Sequence, residues 1–257
     1  MFGKQKVAAL VAEFLGAGVL TLTALKVMYS LSVPFFVALG LGIAMTLAVY
    51  ILAVKSWGFF NPAITLAMWS IRRIDVITAV MYIIVQLLGA WAAYGLFTYM
   101  VGNSTPELKS SFSWQAVTIQ VVGATVFALG IAAAMYQNAS RAALSSFVGL
   151  ALFVGMLLAL TATTNPLTGQ ASFTGGFLNP AVSLGVRGWN IWGSLGWGVS
   201  VLGPVVGALV GLNLYKYLWA EPQAVAANVV SAPVIKTIAK KPAAKKPTAK
   251  KKTSRKK

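Results

Sequence analysis

Along the first 219 residues, long apolar runs alternate with short breaks rich in glycine, proline or charge. Six of those runs, at about 8–28, 34–54, 76–100, 115–136, 144–163 and 195–219, are long enough to cross a bilayer as helices, which takes roughly 20 mostly apolar residues. Two further apolar stretches, Ala63 to Trp69 and Ala181 to Val186, are too short to cross. Each follows an Asn-Pro pair. Asparagine is a favoured N-cap and proline suits the first helical position, so each pair reads as the start of a short helix. Irregular backbone at membrane depth survives only where protein or water satisfies it, so both segments are expected to dip in from one side and line a cavity.

The two short segments belong to a repeat. Asn61-Pro62-Ala63 returns as Asn179-Pro180-Ala181, and Gln86-Leu87-Leu88-Gly89-Ala90 answers Pro204-Val205-Val206-Gly207-Ala208 at the same separation. Upstream, Glu13-Phe14-Leu15-Gly16-Ala17 answers Gln120-Val121-Val122-Gly123-Ala124 at a slightly shorter separation. With an odd number of spans per half, the two short helices enter from opposite leaflets. The expected fold class is an all-α membrane protein: six transmembrane helices plus two re-entrant half-helices in an inverted repeat. Its expected domains are a cytoplasmic N-terminus (1–7), a membrane body (8–219, halves about 8–100 and 115–219) and a disordered tail (220–257).

Composition agrees with a bilayer as the solvent. The chain is 58% hydrophobic and 10% charged, with a mean hydropathy of +0.78. The first apolar window carries Glu13 and lacks a small-residue cleavage site after it, so it reads as a retained span rather than a removed signal peptide. Cysteine and histidine are absent, which removes disulfides, thiol chemistry, imidazole metal sites and the usual general base. The only acids are Glu13, Asp75, Glu107 and Glu221, and no two form a sequence-local carboxylate pair. No catalytic residue, metal site or cofactor is expected.

Charge sets the orientation. Of 21 Lys and Arg residues, eleven lie between Lys236 and Lys257. With both termini cytoplasmic, Lys4, Lys6, Lys55, Arg72, Arg73, Arg141 and Lys216 fall inside, while Lys26, Lys109 and Arg187 fall outside. That asymmetry follows the positive-inside rule. The tail combines Lys and Ala with Pro222, Pro233, Pro242 and Pro247 and has no aromatic interleaving, so contact with anionic lipid is favoured over nucleic acid. Val101 to Ser113 reads as an external connection, with Asn103-Ser104-Thr105 a weak glycosylation match. Trp57, Trp69, Trp189 and Trp192 suit the interfacial belt, and Gly16, Gly89, Gly123 and Gly207 suit close helix packing.

Over roughly residues 8–219 the chain resembles the major intrinsic protein family, the aquaporins and glycerol facilitators. The residues that carry the resemblance are Ala12-Glu13-Phe14, Gly58-Phe59-Phe60-Asn61-Pro62-Ala63, Gln86-Leu87-Leu88-Gly89, Thr174-Gly175-Gly176-Phe177-Leu178-Asn179-Pro180-Ala181 and Gly203-Pro204-Val205-Val206-Gly207-Ala208. The resemblance implies an hourglass pore in each subunit of a homotetramer, with Asn61 and Asn179 offering amide donors to the permeant. It implies a passive channel for water and/or small uncharged solutes such as glycerol, urea or ammonia, excluding protons and ions, in a plasma or inner cell membrane. It also implies that Glu13, Gln86 and Gln120 are structural polar groups which bond to the half-helix loops.

One part of the pattern departs. By similarity the outer constriction comprises Leu41, Met156, Gly176 and Val182, and Val182 stands where most members carry arginine. Such a ring holds no side-chain donor; it either dewets or admits larger neutral solutes. Glycerol facilitators usually follow that arginine with aspartate, where this chain has Ser183. The stretch from Thr161 to Gly175 is long and contains its own Asn165-Pro166, so an alternative alignment moves the fifth-span wall residue away from Met156. Arg187 reads as a solvated or lipid-phosphate-facing cation. Two rival functions stay open: a closed membrane scaffold, and a secondary transporter, which would need coupling-ion ligands that the membrane body scarcely offers.

Overall fold

The computed structural model describes residues 3–31, 33–102, 114–161, 176–187 and 197–219. Val101 and Gly102 of the expected external connection prove to be the last residue and C-cap of a helix; the rest of it (103–113), the alternative Asn165-Pro166 motif, Trp189, Trp192 and the basic tail lie outside the described residues. In chain order the helices are α1 (Lys4–Leu31), α2 (Pro34–Leu52), α3 (Pro62–Ser70), α4 (Val76–Val101), α5 (Trp114–Tyr136), α6 (Arg141–Thr161), α7 (Pro180–Val186) and α8 (Gly203–Leu218). A π-helical turn, Gly198–Leu202, leads into α8.

Six of these elements are long and apolar enough to span: α1, α2, α4, α5, α6, and α8 together with its π turn. The short pair, α3 and α7, are the half-helices. Helix α1 has 28 residues, so at 1.5 Å rise it is about 42 Å long and carries Lys4 and Lys6 beyond a hydrocarbon slab of roughly 30 Å. Local chemistry sets the other boundaries. Prolines open α2, α3 and α7, where the missing N–H would have had no partner. Asp75 caps α4 by accepting from the Thr78 N–H (2.9 Å) and its hydroxyl (2.6 Å), and Gly102 ends α4 in the left-handed region at φ 65°. Those two contacts, the hydroxyl's the larger, hold the Asp75 carboxyl below its ordinary range. The π turn precedes Pro204, whose ring and missing N–H cannot continue a regular α-helical ladder.

Packing repeats between the halves. Within each half the first span lies along the last and beside the second: α1 against α4 and α2, α5 against α8 and α6. Across the halves α2 packs on α6, α3 on α8, α7 on α4, and the half-helices meet. Each short helix is thus seated against the last span of the other repeat. Close approach depends on glycine: a Cβ at Gly89 would strike the Phe14 carbonyl, and one at Gly207 the Val121 carbonyl. Gly123 likewise faces the Gly155 carbonyl, whereas Gly16 makes room for the ring of Phe60. The outward faces are apolar, with Ile43 61% and Ile77 69% exposed, as hydrocarbon contact requires.

One membrane face gathers the basic residues. Lys216 Nζ donates to the Ile71 carbonyl (3.3 Å), Asn213 Nδ2 to Ser70 Oγ (2.8 Å), and Arg73 sits 4.9 Å over the Tyr136 ring. The C-terminal ends of α3, α5 and α8 therefore share a side. Lys55 after α2 and Arg141 at the start of α6 join them by the alternation of the spans.

Candidate functional site

The residue before each Asn-Pro-Ala turns the chain. Phe60 and Leu178 both adopt left-handed backbone conformations, at φ 51° and 55°, an uncommon choice for bulky side chains that persists only when surroundings enforce it. The turn aims each carbonyl across the repeat boundary. Asn179 Nδ2 donates to the Phe60 carbonyl at 2.9 Å, and Asn61 Nδ2 donates to the Leu178 carbonyl at 2.9 Å. This pair of crossed bonds ties the two half-helix tips together at the centre of the molecule.

Each asparagine also caps its own helix. Asn61 Oδ1 accepts from the Ala63 N–H (2.9 Å), and Asn179 Oδ1 accepts from Ala181 (3.0 Å) and Val182 (3.4 Å). An asparagine amide has two N–H donors. One on each residue is committed to the opposite carbonyl, which leaves the second for another acceptor. Pro62, Ala63, Pro180 and Ala181 are buried in the first turns of α3 and α7.

The first loop is clamped from α1. Glu13, fully buried, accepts from the Phe59 N–H (3.1 Å) and Phe60 N–H (2.7 Å), and from Gln86 Nε2 (2.8 Å). Gln86 reaches on to Thr65 Oγ (3.0 Å), which donates to the Asn61 carbonyl (2.9 Å). Glu13 thus bonds to the loop backbone as expected, while Gln86 acts through Glu13 and Thr65 rather than on the backbone directly.

The second loop is held differently. Gln120 is fully buried against Gly176 and Gly203, yet among the described residues neither its amide oxygen nor its nitrogen has a hydrogen-bond partner. The expected bond from Gln120 to the loop is absent. Pro204 stands where the first half has Gln86, so no side-chain donor completes the network, and the Phe177 N–H turns instead to Ser183 Oγ (3.1 Å). Thr65 and Ser183 each stand four residues after their asparagine, a shared register visible in the sequence although only the structure links it to the loops.

The residues inferred for the constriction lie on three helices and a loop. Leu41 on α2, Met156 on α6 and Val182 in the first turn of α7 are buried in one apolar cluster, and Gly176 lies in the loop that enters α7. Trp69 is 47% exposed, in keeping with a belt position. Trp57 is half-buried two residues after Lys55 and stacks on Phe59, with ring centroids 6.3 Å apart and planes at 15°.

Six spans around two crossed half-helices define a membrane channel architecture. The chain matches the model of the major intrinsic protein family over residues 3–215, and it belongs to that family. Among its relatives, aquaporin AqpM of Methanothermobacter marburgensis is 30% identical, with 72% of this chain and 78% of that protein covered. Propanediol uptake facilitator PduF of Salmonella typhimurium is also 30% identical, covering 80% and 91%. Aquaporin-5 of Sus scrofa is 32% identical, covering 82% and 80%. The aquaglyceroporin structure from Plasmodium falciparum shares the fold at a TM-score of 0.64 and 23% identity, covering 83% of this chain and 96% of that one.

Proposed function

We propose that the protein is a passive channel that conducts water and small uncharged solutes past Asn61 and Asn179 and excludes protons and other cations. The observation that carries this reading is the pair of crossed bonds, Asn61 to the Leu178 carbonyl and Asn179 to the Phe60 carbonyl. They hold two helix starts tip to tip, each with amide donors facing the shared point and a partial positive charge of roughly half a unit for an ideal helix. A neutral molecule can accept from the spare asparagine N–H groups, whereas a cation meets an unfavourable field. The channel relatives, named as aquaporins and as glycerol or propanediol facilitators, support conduction without catalysis.

The constriction of Leu41, Met156, Gly176 and Val182 belongs to the same proposal. So do assembly as a homotetramer, both termini in the cytoplasm, and contact of the 220–257 tail with anionic lipid. The gathering of Lys55, Arg72, Arg73, Arg141 and Lys216 on one face supports that orientation. The test is stopped-flow light scattering on liposomes that contain the purified chain, with water, glycerol, urea and ammonia in turn. Flux that exceeds empty liposomes, does not saturate and ignores ion gradients is the expected result. Swelling no faster than empty liposomes for every solute would favour a closed scaffold. Flux driven by an ion gradient would favour a transporter.

A further inference from the structure

On the basic side of the crossed asparagines lies a cavity of about 40 Å³. Val49 near the end of α2, Met135 near the end of α5, Leu144 and Val148 in the first turns of α6, and Trp57 and Phe59 before α3 form its walls. All of these elements end or begin on the basic face, so the cavity lies between that face and the asparagine pair. Its lining side chains are aliphatic or aromatic. Among its side chains the Trp57 indole N–H and the weakly accepting Met135 thioether are the hydrogen-bonding groups, and Gly58 contributes backbone alone.

The aromatic wall is held in place. The Phe59 N–H is bound by Glu13, and its ring is stacked on Trp57 and meets Tyr82 edge-on at 6.1 Å. A cavity of this size has room for a water, which ordinarily needs two to four polar partners and here meets mostly apolar walls. An apolar flank of a solute, by contrast, gains from leaving water at this point.

We infer that this stretch is a second selectivity element, with Phe59 as its discriminating wall. It passes an uncharged solute by its apolar flank and holds back a solute hydroxylated on every carbon. The favoured class is a short diol that keeps a methyl end. This element rests on the channel reading above and lies on the opposite side of the asparagines from the inferred constriction.

Glycerol and 1,2-propanediol differ by one hydroxyl, so their permeability ratio in liposomes containing the full chain, corrected for protein-free liposomes, reads the element directly. Val148→Thr keeps the side-chain size and adds a hydroxyl, which within α6 can bond to the carbonyl four residues back. The expected result is a propanediol-to-glycerol ratio that falls by roughly 2- to 10-fold, the range of one hydrogen bond. Phe59→Leu, which removes the aromatic wall without adding polarity, is expected to bring the ratio toward unity, and Val49→Thr serves if Val148→Thr fails to assemble. Ratios unchanged within about twofold in the variants, with a conducting wild type, overturn the second element and leave the channel reading standing. A wild type that conducts neither diol, triol nor water overturns both.

Discussion

The two halves offer a paired test, because Glu13 and Gln120 occupy matching places and have opposite surroundings. Glu13→Leu removes the acceptor of two buried backbone donors, the N–H groups of Phe59 and Phe60, while Gln86 retains Thr65. Each buried donor left without a partner costs about 1–3 kcal/mol, so the loss sums to about 2–6 kcal/mol. Polar groups in a membrane-embedded unfolded state find substitute partners, which places the expectation in the lower half of that range. Glu13→Gln keeps one acceptor oxygen and is expected to fall between wild type and Glu13→Leu. Gln120→Leu removes an amide that has no partner and substitutes an apolar group of similar size. It is expected to be neutral or stabilising by about 1 kcal/mol. Reversible unfolding in mixed detergent micelles measures all three variants, and liposome flux shows whether the loop has moved. A Gln120→Leu variant as destabilised as Glu13→Leu would refute the asymmetry of the two loops and the reasoning built on it.

Other perturbations test separate parts of the molecule. Asn179→Asp replaces the donor to the Phe60 carbonyl with an acceptor and puts a carboxylate at the crossing point. Cation and proton leakage is expected to rise at least roughly tenfold, since unit charges about 4 Å apart interact by ~4 kcal/mol at an effective dielectric near 20; unchanged leakage would place the barrier elsewhere. Val182→Arg puts a long cation at a buried position in the first turn of α7 and is expected to lower glycerol flux relative to water severalfold, a change read from the two permeabilities. Asp75→Ala is expected to cost about 1 kcal/mol through loss of the α4 cap. Because the Asp75 carboxyl is held below its ordinary range, its contribution is complete above about pH 4 and disappears as pH falls through the lowered value. The gap in thermal midpoint between wild type and Asp75→Ala should therefore close in acid, and a gap independent of pH would contradict the capping account.

The repeat and the half-helices were readable from sequence because both are set locally. An apolar run of spanning length announces a span, and Asn-Pro before a run too short to cross announces a helix that starts inside the membrane. The Glu13 contact with the loop followed from resemblance. Three features needed three-dimensional placement. The left-handed turns at Phe60 and Leu178 run against the preference of bulky residues and exist because each loop is bonded on both sides of the turn. Residue type alone places Trp57 at the membrane interface, and its stacking on Phe59, two residues away, shows only in three dimensions. Gln120 was assigned a bond by symmetry with Glu13, but symmetry at one position does not supply the partners at others.

That last failure shows how the channel is supported. Read together, Glu13 with Gln86 and Thr65 form a chain of hydrogen bonds that anchors the first loop and its half-helix to α1, 46 and 47 residues away, and to α4, 21 residues away. Their counterparts, Gln120 with Pro204 and Ser183, cannot form that chain, since proline has no N–H and no polar side chain. Among the described residues, the second loop's own side-chain bond, from the Phe177 N–H to Ser183 Oγ, spans six residues and lies within the half-helix segment. Among the described residues, the hydrogen bonds that tie the second loop to the first are the crossed pair at the centre, Asn61 to Leu178 and Asn179 to Phe60, while packing on α1 and α4 seats α7. The first loop acts as the template and the second is registered against it. A disturbance at Glu13 should accordingly reach Leu178 through Asn61, whereas a disturbance at Gln120 has no comparable route to Phe60.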